Sequence, residues 1–169
     1  VSAFRDKAYD RGHLVASGNQ AERAVQNSET FLMSNMAPQT PRLNRRLWRM
    51  LEQEVRELNA RDDILETYVL NCPVFYFDRM IETIGDPQDE HGVDIPVPHA
   101  FVKSVLAETL RGSVRLWTFE MPNTGEVDGK PEDYLVSTYG AEQRVGGRFW
   151  DRIAAEDMHR QKEKPNPMW

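Results

Sequence analysis

Tyr9-Asp10-Arg11-Gly12-His13-Leu14 decides the reading of this chain. A histidine follows a paired charge and a glycine there, and thirty-one residues later Asn44 opens an arginine-rich helix that also carries Glu52. A neutral imidazole can take a proton from water near pH 7. An amide oxygen can help hold a hard divalent cation, and guanidinium groups hold phosphate. Together these are the parts of a metal-assisted phosphodiesterase.

Working outward, residues 6–16 read as a strand or extended segment ending near His13, and residues 19–28 as a short helix. Pro38 and Pro41 exclude regular helix over 33–42, so an ordered loop is expected. Residues 43–60 form the clearest helix. At ~100° per residue, Leu47, Leu51, Val55 and Leu58 fall within ~80° of one another as the buried stripe, with Asn44 at its edge. Arg45, Arg49, Glu52 and Arg56 cluster within ~60° on the adjoining flank, the geometry of an active-site wall.

Residues 65–77 are rich in β-branched and aromatic types, which predicts a strand. An acidic loop follows over 78–95. Residues 97–107 and 114–121 read as two strands joined around Arg111-Gly112-Ser113, with helix competing for the first. A polar loop over 122–133, a strand near 134–138 and a short helix near 140–145 complete the order. The charged tail from Arg152 ends in proline-rich sequence and is expected to be loosely held.

Length and composition fit one globular domain of 169 residues. No apolar run approaches the ~18 residues that span a bilayer, and no targeting signal is present. The chain starts at Val1 rather than Met, so an upstream segment, with any targeting signal in it, is expected to have been removed. Cys72 is the single cysteine, which excludes an intrachain disulfide or thiolate zinc cluster and suits a buried structural thiol. The net charge of −6 is unevenly spread: residues 1–60 hold nine Lys/Arg against seven Asp/Glu, whereas residues 61–169 hold twelve against twenty. The basic residues thus gather where the chemistry is expected, and the local field matters more than the total.

Beyond Asp10-Arg11-Gly12-His13, further segments follow in order: Leu32-Met33-Ser34-Asn35 running into Ala37-Pro38-Gln39, Leu43-Asn44 with Trp48, Leu51-Glu52, Asn71-Cys72-Pro73-Val74-Phe75, Val97 to Lys103, and Met121-Pro122-Asn123. The ordered set resembles the DNA/RNA non-specific endonuclease family, the endonuclease G-like branch of the ββα-metal nucleases, over most of the chain. The resemblance implies an α+β fold with a ββα-metal (His-Me finger) core and a mainly antiparallel sheet flanked by helices. Residues 1–152 would be a single nuclease domain and 153–169 a charged C-terminal tail. Only twelve residues precede His13, fewer than in the family, so the family's N-terminal strands are expected to come from a separate segment or chain.

The same resemblance implies the site. His13 would deprotonate the attacking water, and its ring should bond a backbone carbonyl or carboxylate that sets the tautomer. Asn44 would be the one direct protein ligand of Mg²⁺, with Mn²⁺ as a substitute, and Glu52 would orient metal-bound water. Asn35 would support the phosphate or the water shell, and Arg11 would act with His13 in catalysis. Asp10, Arg11, Arg56, Arg45 and Arg49 are the candidate substrate contacts, although Arg45, Arg46 and Arg49 could equally form a solvated face, Arg11 could pair only with Asp10, and Asp10 could fix the strand end. Trp48 and Trp117 read as core. Products with 5′-phosphate ends, DNA and RNA as partners, an inhibitor protein, a homodimer and an extracytoplasmic or organellar setting are further expectations. A relative that binds nucleic acid without turnover, or a toxin domain under an inhibitor, remains the alternative.

Overall fold

β1 (Asp10–His13) pairs antiparallel with β2 (Met36–Gln39), setting Asp10 opposite Gln39 and His13 opposite Met36. The second strand is a correction, since the two prolines suggested a loop over 33–42. Pro38 is tolerated because a two-stranded ribbon has no third strand to require its missing N–H. Between the strands lie short 3₁₀ turns at Ser17–Gln20 and Met33–Asn35 and a helix, α1 (Ala24–Glu29). This computed structural model describes residues 8–20, 23–85, 92, 94–153 and 157–169; the start of the expected 6–16 strand and His91 in the acidic loop lie outside them.

The chain then enters the predicted helix in two parts, a π-helical turn at Leu43–Trp48 and α2 (Arg49–Asn59). A π turn is wider than the 3.6-residue α turn, and such turns recur at functional sites. Asn44 is therefore inside the helix, its N–H bonded to the Thr40 carbonyl, rather than at the cap. The Thr40 hydroxyl accepts from the Leu43 N–H instead.

β3 (Ile64–Val74), β6 (Ala100–Thr109) and β7 (Val114–Pro122) make the main antiparallel sheet in the order β3-β6-β7, while β4 (Thr83–Ile84) and β5 (Ile95–Pro96) form a small ribbon inside the expected acidic loop. Side chains alternate along β6. Phe101, Val105 and Ala107 join Leu43, Leu47, Trp48, Leu51, Val55 and Leu58 of the helix, with Trp117, Phe119 and Met121 of β7, in the principal core. Val102 and Ala100 point the other way, onto Ala141 of α3 (Thr138–Val145) and Phe149. The expected strand near 134–138 is instead a 3₁₀ turn at Pro131–Tyr134, a single bridge from Leu135 to Phe119, and the start of α3.

The tail is not loosely held. α4 (Met158–Glu163) buries Met158 and Lys162, the latter paired with Glu142 at 2.7 Å. Trp169 packs edge-on against Trp117, whose indole N–H donates to the Pro167 carbonyl at 2.7 Å. Burying these aromatics holds a segment whose composition alone predicted mobility. Among the described residues, no helix is long and apolar enough to cross a membrane.

Asn123 ties the finger to the sheet. It accepts from the Thr40 N–H at 2.8 Å and donates to the carbonyls of Pro38 and Pro98 at 2.9 Å each. Three buried backbone groups from two segments, the end of β2 and the approach to β6, thus meet on one side chain.

Candidate active site

β1 delivers Asp10 and His13, and the helix delivers Asn44, Arg45, Trp48 and Glu52. The Asn44 amide nitrogen donates to Asp10 Oδ2 at 3.0 Å. A carboxylate only accepts, so the bond assigns the amide: nitrogen toward Asp10, oxygen turned away from it. Arg45 grips the same carboxylate at 2.8 Å and 2.6 Å, and these bonds hold the Asp10 carboxyl below its ordinary range. The planar fork explains the two-point grip. Arg45, expected to reach substrate, is committed to Asp10 in this structure.

The His13 imidazole is half-buried, and that burial pulls its pKa below the usual 6.5, favouring the neutral ring. The expected ring bond to a carbonyl or carboxylate is not formed at Nε2, which is buried without a hydrogen-bond partner. Phe31 instead meets the ring at right angles, with centroids 4.9 Å apart. The main chain is better anchored: the Trp48 indole N–H donates to the His13 carbonyl at 3.2 Å.

Asn35 is drawn into the loop. Its Oδ1 accepts from the Val15 N–H at 2.8 Å, and its amide donates to the carbonyls of Val15 at 2.9 Å and Thr30 at 2.8 Å. Its carbonyl also accepts from the Leu14 N–H. These bonds place Asn35 as a brace behind His13, with both amide hydrogens engaged by backbone, rather than as a phosphate contact.

Glu52 is largely buried on the helix, and burial pushes its carboxyl up, opposed by Lys103, Arg56 and the Trp48 indole. Arg56 reaches the 3₁₀ turn, where Nη1 lies 3.4 Å from Asn19 Oδ1. Arg49 is exposed on α2, and Arg11 is exposed on β1, on the His13 face by strand alternation. Arg42 and Arg46 both pair with Asp128, at 3.2 Å and 3.3 Å, pinning the loop after β7 to the helix start.

Three residues escaped the sequence reading. Lys103, quoted only as part of a strand, is buried beneath the helix, and its burial pushes the ammonium pKa down to about 8. A lone cation in an apolar alternating strand was the available signal. Gln39 is fully buried with both polar atoms of its amide unpartnered, and it lies where a Gly12 side chain would stand. Phe31, packed against His13, carried no signal beyond its nearness to Asn35.

Among the described residues, no three His, Cys, Asp or Glu side chains converge as a metal cage. A cation here would rest on an amide oxygen, water and phosphate, the usual diet of Mg²⁺.

A profile of the DNA/RNA non-specific endonuclease family matches residues 2–156. Over 157 residues the chain is 32% identical to the mitochondrial endonuclease G of Homo sapiens, spanning 90% of this chain and 52% of that protein. A nuclease of Nostoc sp. is 28% identical over 156 residues, spanning 90% of this chain and 54% of the relative. The chain thus spans about half the length of these curated relatives. Among solved structures, the crystal structure of an EndoG/EndoGI complex, which describes EndoG inhibition, superposes with a TM-score of 0.79 at 30% identity, covering 90% of this chain and 63% of that one. The profile match over most of the chain, the endonuclease G identity and the shared fold together show that this chain belongs to the DNA/RNA non-specific endonuclease family.

Proposed function

We propose that this chain is a Mg²⁺-dependent endonuclease that hydrolyses phosphodiester bonds of DNA and RNA with little sequence preference, His13 serving as general base and Asn44 as the protein's metal ligand. The observation that carries the reading is the Asp10–Asn44 hydrogen bond, which commits the amide nitrogen and leaves Oδ1 to serve as a ligand. The donor set suits a hydrated cation. One neutral oxygen from Asn44 and a carboxylate from Glu52 can each address metal or water. When bound, Mg²⁺ supplies charge stabilisation to the crowded phosphate and to the departing 3′ oxygen.

The chain's own groups do the rest. Water attacks phosphorus while neutral His13 takes its proton. The bond from phosphorus to the 3′ oxygen breaks, and that oxygen is protonated from solvent. The products carry 5′-phosphate and 3′-hydroxyl ends. Glu52 orients water near the cation, Asn35 holds the backbone behind His13, and Asp10 with Arg45 fixes the Asn44 amide. Arg11, Arg49 and Arg56 contact phosphates rather than base edges, which accounts for weak sequence selectivity. An inhibitor protein is a natural partner, since the neighbouring EndoG is held by one. An organellar setting is supported by the relatives described as mitochondrial.

Cleavage of plasmid DNA and RNA with Mg²⁺, Mn²⁺ or EDTA, followed by end-group analysis, tests the proposal. Both substrates should be cut only with metal, leaving 5′-phosphates. Metal-independent cutting or 3′-phosphate ends would overturn the mechanism, and tight binding without cutting would favour the non-catalytic alternative.

A further inference from the structure

The central strand of the main sheet carries a lysine where an apolar residue is expected. Strand alternation puts Lys103 on the helix-facing side of β6, between Phe101 and Val105, and its residue is only 3% exposed. A buried ammonium with poor compensation costs several kcal/mol. Among the described residues, no carboxylate lies within ion-pairing distance of it. Its partners are of another kind. Nζ donates to Oδ1 of Asn71, its register partner on β3, at 2.6 Å. Nζ also sits 4.1 Å from the centroid of the Trp48 ring, whose face carries the negative end of the aromatic quadrupole.

Phe101, two residues earlier on the same face, meets Trp48 edge-on at 5.6 Å between centroids. The indole is thus bracketed by consecutive side chains of one face of β6. Its N–H is thereby aimed at the carbonyl of His13, the last residue of β1. The path runs from Asn71 to Lys103, to Trp48, to the main chain that carries the imidazole. The charged groups whose fields reach Lys103 are Glu52 and Arg56, both on α2. They act in opposite senses, so neither alone accounts for a cation at this point.

We infer that Lys103 is a positioning residue of the active site, a buried ammonium that fixes the Trp48 indole and, through its N–H, the backbone of His13. The inference rests on the nuclease reading for its effect on rate, but not for its structural half.

The test uses the full chain with Lys103→Met, which keeps length and removes charge, and Trp48→Phe, which keeps an aromatic face and removes the N–H. The first readout is the indole ¹⁵N–¹H resonance of Trp48, assigned by its loss in Trp48→Phe. It should move clearly in Lys103→Met and return toward the parent position in Lys103→Arg. The second is steady-state cleavage of an oligonucleotide. In Lys103→Met, kcat should fall by ~10-fold or more with KM within two-fold, as a small misplacement of a catalytic group would produce. In the Trp48→Phe background the same substitution should cost less than two-fold, because the route is already cut.

An unmoved Trp48 resonance, a kcat within two-fold of the parent, or a full loss recurring in the Trp48→Phe background would each overturn the inference. If Lys103→Met does not fold, Asn71→Ala unties the ammonium and takes its place under the same criteria. A parent without nuclease activity would sink the nuclease reading, leaving the resonance to decide this one.

Discussion

Gly12→Ala should damage the site through a contact the structure makes measurable. A Cβ at Gly12 would stand 2.5 Å from Cγ of Gln39, with the amide atoms closer still. Ordinary carbon–carbon contacts begin near ~3.5 Å, so something must move by on the order of 1 Å. Gln39 cannot swing out, since it is fully buried and its Cγ lies near the rigid end of the side chain. Gly12 adjoins His13, so a β1 shift carries the imidazole with it. A misplacement of about 1 Å costs ~10²-fold in rate. Overpacking adds a destabilisation of ~1–3 kcal/mol, or roughly 2–4 °C in Tm per kcal/mol for a chain of this size. The assay is a double-mutant cycle with Gln39→Ala, following initial cleavage rates and thermal melts. Gly12→Ala should cost ~100-fold in the parent and less than about three-fold in the Gln39→Ala background. Equal losses in both backgrounds, or a folded Gly12→Ala within a few-fold of the parent, would refute the reasoning.

Other consequences are as direct. Because burial lowers the His13 pKa from 6.5 and only the neutral ring accepts a proton, kcat/KM should fall as pH drops, with its acid midpoint below 6.5; a midpoint above 7 would contradict the burial argument. Asn44→Ala should abolish high-affinity Mn²⁺ binding measured by electron paramagnetic resonance on the free protein, and unchanged binding would move the ligand elsewhere. Asn123→Ala removes three buried hydrogen bonds and should lower stability by about 3 kcal/mol in a denaturant melt, whereas a loss under ~0.5 would show that water replaces them.

The ββα core was legible because its parts lie close in sequence and in a set order. Helix periodicity put Asn44 and Glu52 on one helix, and the resemblance to the family, carried by motifs in order, set them beside Asp10 and His13. The β-branched and aromatic run likewise announced β3, and β6 and β7 read as two strands although helix competed for the first. What escaped depends on tertiary contact. β2 was hidden by Pro38, whose missing N–H matters only if a third strand lies alongside. The four-residue spacing of Leu43, Leu47 and Leu51 suits an α turn and the wider π turn alike, so a helical wheel passes over the difference. The tail looked mobile by composition, yet Trp169 packs against Trp117 at the edge of the principal core. Arg45 resembles a phosphate ligand in sequence, and only the fold shows Asp10 already bound to it. Lys103 and Gln39 became visible only when burial left a cation and an amide in need of partners.

The most direct measurement is single-turnover cleavage of plasmid DNA by the parent, by His13→Ala, and by His13→Ala with added imidazole, each with Mg²⁺ and with EDTA. The account predicts metal-dependent cutting by the parent, a loss of ~10²–10⁴-fold in the variant, and partial recovery with imidazole. A folded His13→Ala that cuts within a few-fold of the parent would contradict it.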